Sequence, residues 1–400
     1  MDEPTPEHDQ RRTALIIVVI ATAVALAVGG WWLVSRDSGS TSRAGEAGSS
    51  TSSGPPVSSP SPSPSEPTSS ARLPRLGDPV DVATRLQVPW GVAFLPDGSA
   101  LVSERTSATI VRVEEGAPTR TVGPVPGVTS DGEGGLLGLA VSPDFSDDRL
   151  VYVYFTTDTD NRIVSMRLTD KGLGRPTVLL DGIPRASYHD GGRLLFGPDG
   201  MLYATTGDHG VPELAQDRAS LAGKILRLEP DGSVPKSNPF DGSPVWSYGH
   251  RNVQGLAFDD AGRLWATEFG DSTYDELNLI EPGANYGWPE FEGDGGQAAA
   301  DNGMTNPQLT WPVARASPSG LAFLDGVLYM GALRGERLWQ IPLAGAHAQA
   351  SRAALVGELG RIRTVAVAPT GDLWITTSNT DGRTTEVAAD DDRVVSVTVG

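Results

Sequence analysis

The sequence predicts an all-β, six-bladed β-propeller, and three observations carry that prediction. One turn-centred theme recurs six times, its strands alternate with period two, and no segment has a convincing 3.6-residue periodicity. The theme is a small or apolar start, an alternating apolar run, a Pro/Asp/Gly turn, and a second apolar run that ends in small polar residues. It reads WGVAFLPDGSALVSE at 90–104, LGLAVSPDFSDDRLVYVYF at 137–155 and GRLLFGPDGMLYATTGD at 192–208. It returns as VQGLAFDDAGRLWATEFGD at 253–271, PSGLAFLDGVLYMGAL at 318–333 and RTVAVAPTGDLWITTS at 363–378. A third apolar segment follows each copy: TIVRV, RIVSMRL, KILRLEP, ELNLIEP, RLWQIPL and RVVSVTV. Units of about 45 to 65 residues with three or four strands each are propeller blades. A β-sandwich would need fewer strands and would not repeat its turn six times.

The elements before the blades follow in order. Residues 1–13 are polar and read as a cytoplasmic N-terminus, with Arg11 and Arg12 next to an uncharged run. That run, residues 14–34, is about the length that crosses the hydrocarbon core as a helix, and Trp31 and Trp32 suit the far interface. It is expected to be a transmembrane anchor. The other reading is a cleaved signal peptide, because Ala25-Leu-Ala27 forms a passable cleavage pattern. Residues 35–73 are rich in Ser, Pro, Gly and Thr and cannot bury enough surface to offset their ordering entropy, so a disordered spacer is expected there. The propeller then occupies residues 74–400. It is expected on the extracytoplasmic side of the cell membrane, or secreted if the N-terminal segment is removed.

Composition narrows the chemistry. The chain has no cysteine, so neither a disulfide nor a lipid-modified cysteine is available and the core alone must hold the fold. The net charge is −19, and residues 74–400 keep 26 basic against 43 acidic residues. No basic run tracks a phosphate backbone, which argues against nucleic acid as a partner. Only three basic residues are lysines, so the placement of particular arginines matters more than their number.

That placement is legible from the repeat. The innermost strands of a propeller line its central channel, and their starting ends gather at one mouth. Measured back from the turn, His189 lies nine positions before Pro198, Arg251 nine before Asp260, and Asn252 eight. Arg361 and Arg363 lie eight and six before Pro369, and Glu133 ten before Pro143. Four blades thus bring an imidazole, a carboxylate, an amide and three guanidinium groups to nearly one level. The hairpin around Gly197-Pro-Asp-Gly200, centred between Pro198 and Asp199, pairs positions that sum to 397 and sets His189 opposite Asp208. A bulge would shift that register by one.

A carboxylate behind a histidine orients the ring and supports it as a general base; a structural hydrogen bond that closes the hairpin is the plainer alternative. Arginines at the same mouth suit an anion with several carboxylates or phosphates, which guanidinium forks hold bidentately. The fourth repeat adds Glu268, Asp271, Asp275 and Glu276 within nine residues, interrupted by Gly270. Hard oxygen donors on an irregular loop suit Ca²⁺, although this is not an EF-hand spacing.

These residues resemble a known family. EGGLLGLAVSPDF (133–145), HDGGRLLFGPDGMLYATTGD (189–208), SYGHRNVQGLAF (247–258), DELNLIEPGANYGWPE (275–290), ALRGERLWQIPL (332–343) and RIRTVAVAPTGDLW (361–374) resemble the soluble quinoprotein glucose dehydrogenases and aldose sugar dehydrogenases. Those enzymes use pyrroloquinoline quinone (PQQ) and calcium. The resemblance implies six blades and oxidation of an aldose at C1 to a lactone, with electrons passed to an external acceptor. It implies His189 as catalytic base, Asp208 as its support, and Arg251 and Asn252 beside the reactive quinone oxygens. Arg361 and Arg363 match the arginine pair for the cofactor carboxylates, and Arg334 falls where the glucose enzymes carry lysine. Glu133 falls where they carry glutamine, which would add a negative charge near an anionic cofactor. The backbone carbonyls of Gly270 and Asp271 would hold calcium on the quinone, and a second calcium would map to Glu276 and Tyr286. Tyr188, before the base, and Asp271, in place of a proline, depart from the family pattern. A propeller that only binds carbohydrate or protein, and a calcium-dependent lactonase, are the rival readings.

Overall fold

The structure, a computed structural model, describes residues 73–384 and 387–400. The expected anchor at 14–34 and nearly all of the spacer at 35–73 lie outside the described residues. Among the described residues no helix is long and apolar enough to cross a membrane.

Six antiparallel sheets of four or five strands follow one another as blades. Their inner strands are Pro89–Phe94, Leu136–Val141, Leu194–Phe196, Val253–Phe258, Pro318–Leu324 and Ile362–Val367 in blades I to VI. Each inner strand falls on one expected repeat, and the second strand returns after the Pro/Asp/Gly turn, as the alternation requires. Blade VI is closed by both ends of the propeller: Val80–Ala83 pairs with Val394–Val397, outside Leu373–Thr377 and Ile362–Val367. That first strand was not legible as part of a blade, because VDVA is short, half-exposed and has no turn partner of its own.

The core is a ring. Six apolar clusters lie between successive blades, such as Leu101, Leu136 and Val153 between I and II and Tyr329, Ile362 and Ile375 between V and VI. Each buried Leu, Ile or Val is worth roughly 1.5–3 kcal/mol against exposure, so the blades hold one another and not themselves. Adjacent inner strands approach so closely that a Cβ on Gly138 would stand 2.0 Å from the Gly192 carbonyl oxygen.

Every inner hairpin carries the same irregularity. In blades I, II, IV, V and VI the register shifts by one residue near the start of the inner strand. In blade III, Thr205 N–H donates to Arg193 O at 3.0 Å while its carbonyl accepts from Gly192 N–H at 2.8 Å, which is the same bulge. It bends each inner strand as it reaches the channel mouth.

Candidate active site

His189 stands opposite Asp208 as the turn suggests, but two offsets that cancel put it there. Leu194↔Ala204, Leu195↔Tyr203 and Phe196↔Leu202 sum to 398, one more than expected, because the turn has three residues between Gly197 and Met201. The bulge at Gly192–Arg193 then removes that one residue. His189 returns opposite Asp208, with Nδ1 2.6 Å from Asp208 Oδ1.

The backbone of His189 is held in the left-handed region, at φ 61°. Histidine tolerates this better than most residues, but it still carries strain that neighbours must hold. Its N–H donates to Glu133 Oε2 at 3.0 Å. On the other side its carbonyl oxygen lies 1.9 Å from where a Cβ of Gly207 would stand, so only glycine fits there. Tyr188 meets the imidazole edge-on, with centroids 4.6 Å apart.

Asp208 is buried and fully engaged. Oδ1 also accepts the Gly210 N–H at 3.0 Å, and Oδ2 accepts the Trp288 indole N–H at 2.8 Å. Burial works to raise its carboxyl, but the hydrogen bonds from His189, Gly210 and Trp288 outweigh that and hold it below the ordinary carboxylate range. An ionised Asp208 fixes the proton on Nδ1 and leaves Nε2, with no hydrogen bond among the described residues, as the free ring nitrogen. Arg251 lies over the Trp288 ring at 5.3 Å, pairs with Asp271 at 3.0 Å, and donates its backbone N–H to Glu268. Asn252 accepts the Gly191 N–H on Oδ1 at 3.1 Å and bridges Gly207, so part of its work is to hold the His189 hairpin.

The arginines converge as well. Arg361 and Arg363 share Asp381 Oδ2, at 3.0 and 3.6 Å, and Arg363 Nη1 donates to Gln254 Oε1 at 2.9 Å. Burial, then the neighbouring Arg105 guanidinium, pushes Arg363 down to about 9. Arg105 is buried and pushed down too, by burial first and against the pull of Asp381. Glu133 pairs with Arg383 at 2.8 Å; burial works against its ionisation, but Arg383 and the His189 N–H hold its carboxyl low. Glu133 brings the negative charge expected of it, and Arg383 pairs with that charge. Four guanidiniums, from Arg105, Arg361, Arg363 and Arg383, thus face two carboxylates, from Glu133 and Asp381. The buried Nε atoms of Arg105, Arg251 and Arg363 have no partner among the described residues. That excess of donors and charge fits a ligand with several carboxylates.

Arg334 does not join this network: it is exposed in the connection after Val327–Ala332 and has no hydrogen bond or ion pair among the described residues. The acids of blade IV are also placed differently from the expectation. Glu268 and Glu276 sit opposite each other on adjacent strands and not on a loop, while Asp275 is turned to the N–H groups of Gly270 and Ser317. The Asp271 side chain is taken by Arg251, and no three acidic or histidine side chains converge as a metal group among the described residues. Glu276, Tyr286, Gly270 and Glu268 nevertheless line one cavity of about 10 Å³. Burial, then the facing Glu268 carboxylate, pushes the Glu276 carboxyl up. The Tyr286 hydroxyl donates to Leu279 O, and its ring stacks on His250.

The residues that the repeat did not single out are Arg105, Asp381, Arg383 and Trp288. Two of the four had a signal. In an antiparallel hairpin the end of the second strand lies beside the start of the first, so residues just past that end lie near the mouth: Arg105 is one residue beyond Glu104, Asp208 three beyond Thr205 and Asp381 four beyond Thr377.

Comparison with known proteins gives a consistent picture. The profile of the Glucose / Sorbosone dehydrogenase family matches residues 86–386. Quinoprotein glucose dehydrogenase B of Acinetobacter calcoaceticus is 37% identical over 260 residues, 55% of this chain and 54% of that protein, so the match spans about half its length. Aldose sugar dehydrogenase YliI of Escherichia coli K12 is 29% identical over 338 residues, 76% of this chain and 91% of that protein. The PQQ-bound form of the aldose sugar dehydrogenase from Streptomyces coelicolor superposes with a TM-score of 0.79 at 53% identity, covering 82% of this chain and 98% of that one.

Proposed function

The chain belongs to the glucose/sorbosone dehydrogenase family, and on that footing we propose that it is a PQQ- and calcium-dependent dehydrogenase that oxidises aldoses at C1 to lactones. The observation that carries the reading is the adjacency of a supported imidazole, His189–Asp208, to an arginine cluster with unpaired buried donors. PQQ, when bound, supplies a two-electron acceptor for the hydride on C1 of the sugar.

The chain's own residues do the rest. His189 Nε2 takes the proton of the anomeric hydroxyl as the C1–H bond gives up its hydride. Asp208 keeps that ring in the Nδ1–H tautomer and stabilises the imidazolium that forms. Trp288 and Gly210 keep Asp208 ionised through their hydrogen bonds. Arg361, Arg363, Arg105 and Arg383 would hold the cofactor carboxylates, while Arg251 and Asn252 would lie toward its quinone end. Arg334, in an exposed loop at the same mouth, would meet the cofactor from the solvent side. Calcium would be held by the carbonyls of Gly270 and Asp271, and a second ion would occupy the Glu276–Tyr286 cavity beside Glu268, where it offsets two carboxylates. Tyr188, exposed beside His189, would contact the sugar. The propeller is proposed to face outward from a single-pass anchor at 14–34, with an external electron acceptor.

A binding propeller would need the mouth but not the His189–Asp208 pair, and a lactonase would leave the arginines without a ligand. Reconstitution separates these readings. The full chain with PQQ and Ca²⁺ should reduce a redox dye with glucose. His189→Gln should lower kcat by about 10²–10⁴, the usual worth of a general base, while still binding PQQ. Dye reduction that survives His189→Gln undiminished would remove the base from the mechanism.

A further inference from the structure

The channel has a second chamber. On the side of the Pro/Asp/Gly turns, opposite the mouth that holds His189, a cavity of about 640 Å³ is lined by the inner strands of all six blades. Such a volume lies within the range of small-molecule pockets, about 300–1,000 Å³. Its walls are apolar, with Phe94, Leu139, Phe196, Phe258, Phe323 and Val367 contributed one per blade. One ionisable side chain lines it, that of Arg193.

Arg193 stands where the inner strands of blades I, II, IV and V carry Gly91, Gly138, Gly255 and Gly320 and blade VI carries Thr364. It sends its guanidinium across the axis. Nε donates to Gln254 O in blade IV at 2.8 Å, and Nη2 donates to Thr364 Oγ1 in blade VI at 3.1 Å. The group lies over the Trp90 ring of blade I at 4.2 Å. Arg193 therefore forms the floor of the chamber, and Gln254 separates it from Arg363 on the other side. No carboxylate pairs with it among the described residues, and Nη1 has no hydrogen bond among them. Burial alone, with no acidic neighbour to oppose it, pushes its guanidinium down to about 9.

An unpaired guanidinium at the closed end of an apolar funnel is unusual, because a buried charge is costly until an anion meets it. Of the other buried arginines, Arg361 and Arg363 share Asp381 and Arg227 pairs with Asp199, while Arg105, like Arg193, has no ion pair among the described residues. We propose that this chamber binds an amphiphile with one carboxylate on an apolar chain. The carboxylate would take the free Nη1 donors of Arg193, and the chain would lie along the six apolar strands toward the open end. Arg193 and Gln254 close the channel between the chamber and the site above. The chamber is therefore independent of the dehydrogenase reading and of cofactor.

Equilibrium dialysis of the full chain with labelled octanoate and octanol tests this. Octanoate should bind one per chain, and octanol, with the same tail and no charge, at least tenfold more weakly. Arg193→Met should bring the two ligands within threefold of each other. Ala366→Phe, which fills the chamber from its wall, should abolish octanoate binding and also measures partition elsewhere in the preparation. The proposal is overturned if octanoate does not bind, or if octanol binds equally well. It is also overturned if octanoate binding is unchanged in Ala366→Phe, which decides the matter even where Arg193→Met does not fold.

Discussion

Glu133 shows how a single carboxylate can serve a site that is built for anions. It brings a negative charge to the arginine mouth, yet one oxygen is paired with Arg383 and the other holds the strained His189 backbone. At this mouth Glu133 is therefore a strut and not a free charge. Asp190, the next residue after His189, is the opposite case. It is buried with Oδ2 unpartnered, and burial, with Glu133 acting in the same direction, pushes it up to about 6. Between the ordinary aspartate value near 4 and about 6 the folded state binds the extra proton, so this group stabilises the fold at low pH and loses that contribution as pH rises through 6. Asp190→Asn removes the titration. Its stability relative to wild type should rise by about 3 kcal/mol between pH 4 and pH 7, measured by denaturant unfolding, because a carboxyl lifted from near 4 to about 6 forfeits roughly 1.4 kcal/mol for each pH unit between those values. Parallel pH profiles for the two proteins would contradict the assignment. At this scale the sequence disclosed His189, Asp208, Arg361 and Arg363 because all are fixed by distance from a turn. Arg105 and Asp381 follow return strands as Asp208 does but have no histidine opposite to mark them, and Trp288 reaches Asp208 from a loop eighty residues away.

Among the elements, the strand Val80–Ala83 carries the closure. It adds the outer edge to blade VI, and the chain before it reinforces the seam, with Arg75 and Gly400 exchanging backbone hydrogen bonds at 2.7 and 2.9 Å. A ring whose core lies between blades is only as strong as this seam, since opening it exposes the clusters on both sides. A chain that begins at Leu86 should lose several kcal/mol, at roughly 1 kcal/mol for each ladder hydrogen bond plus the buried apolar area. It should also expose an unpaired edge that promotes aggregation. Thermal unfolding and light scattering check this; an unchanged melting temperature would mean that blade VI closes without the strand. The six turns made the blade count readable. The closing strand was not readable, because a four-residue segment that pairs more than three hundred positions away leaves no local period.

For the molecule as a whole, the central fact is convergence. A strongly acidic chain brings Arg105, Arg251, Arg361, Arg363 and Arg383, together with His189, to one end of a six-walled channel, and the residues of this mouth come from blades I, II, III, IV and VI. Physical contacts join them into one network, from Asp381 and Arg363 to Gln254 on one side and from Arg383, whose backbone N–H donates to Asp381, through Glu133, His189, Asp208 and Trp288 to Arg251 on the other. The repeat predicted that mouth because all blades start at the same end. It could not predict that Arg193 would divide the channel, since one long side chain at a glycine level is visible only once the strands surround it. Titration of PQQ into the full chain in the presence of Ca²⁺, followed by absorbance, is the sharpest test of the convergence. Wild type should bind one PQQ per chain, and Arg361→Ala should lower the affinity by at least tenfold while its melting profile stays cooperative. Equal affinity in the two proteins would place the cofactor elsewhere and refute the shared anion site.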